Sequence, residues 1–250
     1  MQGKLIVFEG VEGCGKTTQI LRLENWLRTS GLLAELQQHH CVSQLLVTRE
    51  PGGTQLAQQV RQLLLKPTEG ESWSDRAELL LYAADRAQHI AALLQPQLAA
   101  GALILCDRFT DSTLAYQGYG RGLDLALIQQ LNQIATGGVT SDLTLWLDLA
   151  VEHGLARAQQ RHGKAIATLP VGDTVPGTQG DTVPGTQGDR IEQAGLAFHQ
   201  RVQRGFAELA SASKRTIRID ASAAEAAVAS QIQTVVTQQL QQWYPTLSRR

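Results

Sequence analysis

Gly10-Val11-Glu12-Gly13-Cys14-Gly15-Lys16-Thr17 puts three glycines, a lysine and a hydroxyl into the pattern GxxxxGK[ST]. Such a loop wraps phosphates with backbone N–H groups, and its glycines allow backbone approaches that a Cβ would block. Lys16 can reach the β- and γ-phosphates, and the Thr17 hydroxyl suits Mg²⁺. The nucleotide-binding run extends from Gly10 to Thr18. An apolar run, Leu5–Phe8, precedes it, and Ile20, Leu23 and Leu27 follow at helical spacing. The new helix would aim its partly positive N-terminus at the phosphates. A nucleoside triphosphate is the expected ligand.

Further chemistry-bearing residues follow other apolar runs. Thr48-Arg49-Glu50-Pro51-Gly52-Gly53-Thr54 joins a fork donor for phosphate, Arg49, to a turn that brings backbone close to a ligand. Leu103–Cys106 runs into Asp107-Arg108-Phe109. A carboxylate there is where P-loop enzymes hold Mg²⁺ or its waters, and Arg108 beside it could hold a transferring or accepting phosphate. The stretch from Asp107 to Leu123 is dense in hydroxyls, glycines and aromatics, which can stack on and orient a flat base. Tyr82 and Arg86 lie four apart on one helical face and could grip a base and its carbonyl. Arg157 and Arg161 also share a face, and Arg190 lies further on; arginines so placed suggest a lid that neutralises charge during phosphoryl transfer.

The elements that must position these groups alternate. Strands are expected at Leu5–Phe8, Leu45–Val47, Leu103–Cys106, Leu143–Leu149 and Thr216–Ile219. Helices are expected at Thr17–Arg28, Gln55–Leu65, Ser74–Gln97, Leu123–Ala135, Glu152–Gln160, Ile191–Ala210 and Ala223–Gln242. Alternation implies an α/β fold with a parallel sheet covered on both faces, and ligands then collect at the carboxyl ends of the strands. Each motif above falls at such an end.

Composition narrows the class. The 250 residues suit one domain, and a net charge of −1 gives no global field for nucleic acid. No apolar run reaches the length of a membrane span and no signal-peptide pattern opens the chain, so a cytoplasmic protein is expected. Cys14, Cys41 and Cys106 are scattered and odd in number, which favours reduced thiols. Leu33–Ser43, with His39, His40 and Cys41, reads as a solvated connection; adjacent ligands seldom converge on one metal. Gly172–Gln179 reads GDTVPGTQ and Gly180–Gln187 repeats it letter for letter. With one valine per unit the repeat cannot offset its ordering entropy, so it reads as a flexible insertion.

Together, FEGVEGCGKTTQ, TREPGGTQLA, ELLLYAADRAQH, DRFTDSTLAYQGYGRGLD, LTLWLDL and DRIEQAGLAFHQRV resemble the thymidylate kinase family, in family order from Val7 to Val202. The resemblance implies a P-loop NTPase fold of the nucleoside monophosphate kinase type. That is a three-layer α/β/α arrangement with a five-stranded parallel sheet and a lid at about 157–190. It implies the reaction ATP + dTMP → ADP + dTDP with Mg²⁺, and a homodimer. In that family Lys16 would bridge the ATP phosphates while Thr17 meets the metal, and Glu12 would face the dTMP sugar and phosphate. Arg49 and Arg108 match the pair near the acceptor phosphate, Tyr82 the aromatic on thymine, and Arg86 the arginine reading a thymine carbonyl. Ser112, Thr113, Tyr116 and Gln117 line the same pocket, with Tyr116 crowding a 2′-hydroxyl. Because position 14 is cysteine, positive charge would come from lid arginines, which Arg157 and Arg161 match and Gln159 does not. The repeat interrupts that lid between Lys164 and Gly188.

Two other classes remain open to test. A P-loop kinase with another acceptor would share the loop but not the Tyr82/Arg86 pair. A nucleotide-dependent switch would carry a guanine-reading Asn-Lys-x-Asp run, which this sequence lacks.

Overall fold

In the computed structural model, residues 2–65, 72–161, 191 and 194–245 are described, with the side chain of Arg161 excepted. The repeat and the rest of the proposed lid beyond Arg161 lie outside them, as does Arg190. Five strands, β1 (Lys4–Glu9), β2 (Leu45–Arg49), β3 (Leu103–Asp107), β4 (Leu143–Asp148) and β5 (Thr216–Asp220), form one sheet in the order β2-β3-β1-β4-β5. Every pairing is parallel, as the alternation implied. Period-two alternation explains the burial on both faces. Ile6, Phe8, Leu103 and Leu105 enter one core cluster, whereas Leu5, Val7, Ile104 and Cys106 enter the cluster on the opposite face. Truncating the fully buried Phe8 to alanine would cost ~3–5 kcal/mol.

The helices cover both faces. α1 (Lys16–Thr29) follows β1 and buries Ile20, Leu23 and Leu27, the spacing that predicted it. α2 (Leu32–Gln38) corrects the reading of Leu33–Ser43 as a solvated connection. Leu33 and Leu36, one turn apart, are buried there, and Cys41 and Val42 continue into the same core. His39 and His40 are exposed, and no metal-binding group of histidine, cysteine, aspartate or glutamate exists among the described residues.

α3 (Gln55–Leu65) leads to α4 (Asp75–His89), which Ser74 caps by accepting a hydrogen bond from the Ala77 amide. α4 runs on through a π-helical turn, Ile90–Leu94, into α5 (Gln95–Ala99). After β3 comes the short α6 (Thr110–Thr113) and a second π segment, Leu114–Gly120. Such π turns concentrate at functional sites. α7 (Leu125–Thr136), α8 (Val151–Arg161), α9 (Leu196–Ala212) and α10 (Glu225–Trp243) complete the order. α9 begins five residues after the predicted Ile191, because Ile191 lies in a turn and Gly195 opens the helix.

Candidate active site

At the end of β1 the chain turns through Gly10 (φ 143°) and Gly13 (φ 72°), backbone angles that side chains rarely tolerate. A Cβ on Gly13 would strike the carbonyl of Gly154, and one on Gly154 would strike the Glu12 carbonyl. α8 thus rests backbone to backbone on the loop. α1 starts from Gly15 with no side-chain cap, leaving its first amides available to an anion. Lys16 is nearly buried, and its Nζ donates to the carbonyls of Gly10 (3.0 Å) and Val11 (3.1 Å) and to Cys14 Sγ (3.5 Å). Thr17 Oγ1 donates to Asp107 Oδ2 at 3.1 Å, while the buried Asp107 Oδ1 has no hydrogen-bond partner. A hydroxyl and a carboxylate with one buried oxygen still unsatisfied are hard oxygen donors of the kind Mg²⁺ selects.

Register brings the next groups alongside. Arg49 on β2 pairs with Asp107 on β3, which pairs with Phe8 on β1. Arg108 follows at φ 69°, and its amide donates to the Phe8 carbonyl (2.9 Å). Its guanidinium reaches in three directions: to the Gly10 carbonyl (3.1 Å), to Ser112 Oγ (3.1 Å) and to the Glu12 carboxylate. It also lies 5.0 Å from the centre of the Tyr116 ring, whose hydroxyl donates to the same Glu12 oxygen. Burial alone would push the Glu12 carboxyl up. Arg108, Lys16, the Tyr116 hydroxyl and His199 outweigh it and hold that carboxyl down at about 2. Glu12 and Arg108 join the phosphate loop to the next feature.

That feature is an open cleft lined by both polar and apolar side chains. Glu12, Arg108, Ser112, Thr113, Tyr116 and Gln117 form part of its wall, and Tyr82 and Arg86 enter together from α4. Arg86 is fixed by Glu50 Oε2 (2.8 Å), Asn132 Oδ1 (2.6 Å) and the Phe109 carbonyl (3.0 Å). Glu50 also takes His89 Nδ1 at 2.9 Å, and His89 Nε2 lies 2.8 Å from Thr48 Oγ1. Burial raises Glu50, but Arg86 and His89 outweigh it and keep it ionised. Its neighbour Asp85 moves the other way: burial and then the Glu50 charge push it up to about 7. Gln117 donates to the fully buried Glu78 at 2.8 Å.

The predicted residues therefore divide into three groups. Tyr82, Arg86, Arg108, Ser112, Thr113, Tyr116, Gln117 and Glu12 meet in the cleft, and Lys16, Thr17 and Asp107 meet at the loop. Arg49 ends β2 beside Asp107 but does not line the cleft, and Arg157 is exposed on α8. Sequence reading missed Glu50, Asp85 and Arg61 in the cleft wall, and Gly154 against the loop. Glu50 was visible inside the turn motif as a carboxylate at a strand end, and Asp85 directly beside Arg86. Nothing local marked Gly154, whose meaning lies in what packs against it.

A phosphate loop at the carboxyl end of a parallel sheet, with a second cleft tied to it by Arg108 and Glu12, defines a P-loop nucleoside monophosphate kinase. The thymidylate kinase family model matches residues 8–168. The chain is 57% identical to a thymidylate kinase of Cyanothece sp. over 99% of both chains. It is 49% identical to one of Trichodesmium erythraeum, covering 97% of this chain and 99% of the relative. A crystal structure of thymidylate kinase from Ehrlichia chaffeensis superposes with a TM-score of 0.61 at 30% identity, covering 94% of this chain and 99% of that one. The chain belongs to the thymidylate kinase family.

Proposed function

We propose that the chain transfers the γ-phosphoryl group of ATP to dTMP, with the donor on the Gly10–Thr18 loop and the acceptor in the cleft beside it. The observation that carries this reading is Arg108, whose guanidinium touches the phosphate loop at Gly10, Glu12 and the cleft residue Ser112. An acceptor phosphate arriving there would be neutralised next to the transferring group. Because that phosphate is already anionic at neutral pH, no general base is required. Positioning and charge neutralisation carry the rate.

Lys16 would exchange its loop carbonyls for the donor phosphates. Arg108 and Arg49 would serve the acceptor phosphate, and Glu12 with Tyr116 the sugar. Tyr82 would stack on the base that Arg86 reads, with Ser112, Thr113 and Gln117 completing the wall. Thr17 and Asp107 would hold Mg²⁺, which supplies charge neutralisation across the phosphates when bound. Arg157 and Arg161 would close over the donor as part of a lid at about 157–190.

A homodimer is the assembly we favour. Exposed Leu56 and Leu63 on α3, Leu80 on α4, and Leu127 and Ile134 on α7 supply apolar surface on helices packed in sequence. A cytoplasmic setting fits Cys14, Cys41 and Cys106 as buried thiols. Among the described residues no helix is long and apolar enough to cross a membrane.

A coupled assay of ADP release with dTMP, dUMP, dCMP and dAMP tests the reading. dTMP should give the highest kcat/KM; equal turnover with dCMP or dAMP would contradict the role given to Tyr82 and Arg86.

A further inference from the structure

Arg108 occupies a left-handed backbone conformation, φ 69°, that a side chain with a Cβ adopts only when its surroundings impose it. Its amide donates to the Phe8 carbonyl, which fixes the start of the turn. The next residues are fixed from one place. Glu9, the last residue of β1 and 1% exposed, accepts from the Phe109 amide (2.8 Å) and the Ser112 amide (3.2 Å) through Oε1. Its Oε2 accepts from Ser112 Oγ at 2.6 Å. That same Ser112 oxygen receives the Arg108 guanidinium. One carboxyl group therefore holds both backbone ends of the turn and the hydroxyl that orients the arginine.

We propose that Glu9 is the positioning residue for Arg108, setting its backbone and its guanidinium so that it meets the acceptor phosphate. The inference rests on the role given to Arg108 above. Glu9 touches neither substrate site: it does not line the cleft, and its side chain faces the turn after β3 rather than the phosphate loop. Its function is to accept hydrogen bonds, not to supply charge. An amide at position 9 keeps an acceptor for the two backbone N–H groups and can donate to Ser112 Oγ, which still accepts from Arg108. An apolar side chain leaves the Phe109 and Ser112 amides and the Ser112 hydroxyl hydrogen without their acceptor, so the turn relaxes and Arg108 moves. A shift of about 1 Å in a catalytic group lowers rate on the order of a hundredfold.

The experiment measures ATP affinity by calorimetry and dTMP kinetics in Glu9→Ala, Glu9→Met, Glu9→Gln, Arg108→Ala and Glu9→Met/Arg108→Ala. Glu9→Met fills the volume without accepting hydrogen bonds, and it decides the matter should the alanine chain fail to fold. Glu9→Ala and Glu9→Met should lower kcat/KM for dTMP tenfold to a hundredfold, in order of magnitude, at unchanged ATP affinity. Glu9→Gln should stay within about threefold of the parent. The double variant should be no slower than Arg108→Ala alone, because groups acting through one another are not additive. Parent-like kcat/KM in Glu9→Met, a Gln loss equal to the Met loss, or additive losses in the double variant would each overturn the proposal. Parent-like turnover in Arg108→Ala would instead remove the role of Arg108 on which it stands.

Discussion

The phosphate loop and the acceptor cleft lie against each other but are built by opposite means. The loop is one contiguous run whose lysine is satisfied by its own carbonyls at Gly10 and Val11. The cleft is assembled from the turn after β2, α3, α4, the turn after β3, α6 and the π segment behind it, and buried carboxylates hold its working side chains. Glu50 fixes Arg86, Glu78 fixes Gln117, and Glu9 fixes the turn that carries Arg108. One site stores its geometry in backbone angles and the other in buried ion pairs and hydrogen bonds. The second arrangement is costlier to disturb, because removing one partner strands a buried polar group.

Lys16→Ala breaks the loop without touching the cleft. It should lower kcat/KM by about 10³-fold, since the charge nearest the transferring phosphate is lost. Thermal unfolding should leave the fold intact, and near-parent turnover would show that Lys16 has no such role. Glu50→Ala breaks the cleft and should act first on stability. Arg86 would be left buried and uncompensated, a loss of about 3–5 kcal/mol in denaturant unfolding, with dTMP KM raised and ATP affinity kept.

A smaller effect separates charge from geometry at Glu9. Burial and the Asp111 charge push its carboxyl up from the ordinary 4.5 to about 8. The folded protein therefore holds more protons there than the unfolded chain between those values, and stability falls as pH rises through that window. Glutamine carries no such proton. The melting-temperature difference, Glu9→Gln minus parent, should be more positive at pH 8.5 than at pH 5; a difference independent of pH would contradict the raised carboxyl. Smallest of all, deleting Gly172–Gln179, which lies outside the described residues, should leave kcat within a few-fold, as its composition implies for a tolerated insertion. A large loss would give the repeat a part in the site.

The same contrast explains what could be read from sequence. The loop was legible because its chemistry is local: glycines, lysine and threonine at fixed spacing after an apolar strand. Alternation of elements was enough to suggest a parallel sheet but not its order β2-β3-β1-β4-β5, which pairing across the sheet sets. Tyr82 and Arg86 were legible as a pair because four residues make one helical turn. Glu9 was not, since its partners Phe109 and Ser112 lie about a hundred residues on and meet it only through β1–β3 register. Gly154 was hidden for the same reason. α2 was misread because Gln37 and Gln38, with His39 and His40 just after the helix, masked Leu33 and Leu36, which one helical turn brings to the core.

The central claim is that Arg108 serves the acceptor side while reaching across to the donor loop. Calorimetric titration of ATP into Arg108→Ala, alongside dTMP kinetics of the same preparation, tests it most directly. ATP should bind within about threefold of the parent while kcat/KM for dTMP falls on the order of 10²- to 10³-fold. Parallel loss of ATP binding, or unchanged dTMP turnover, would contradict the account.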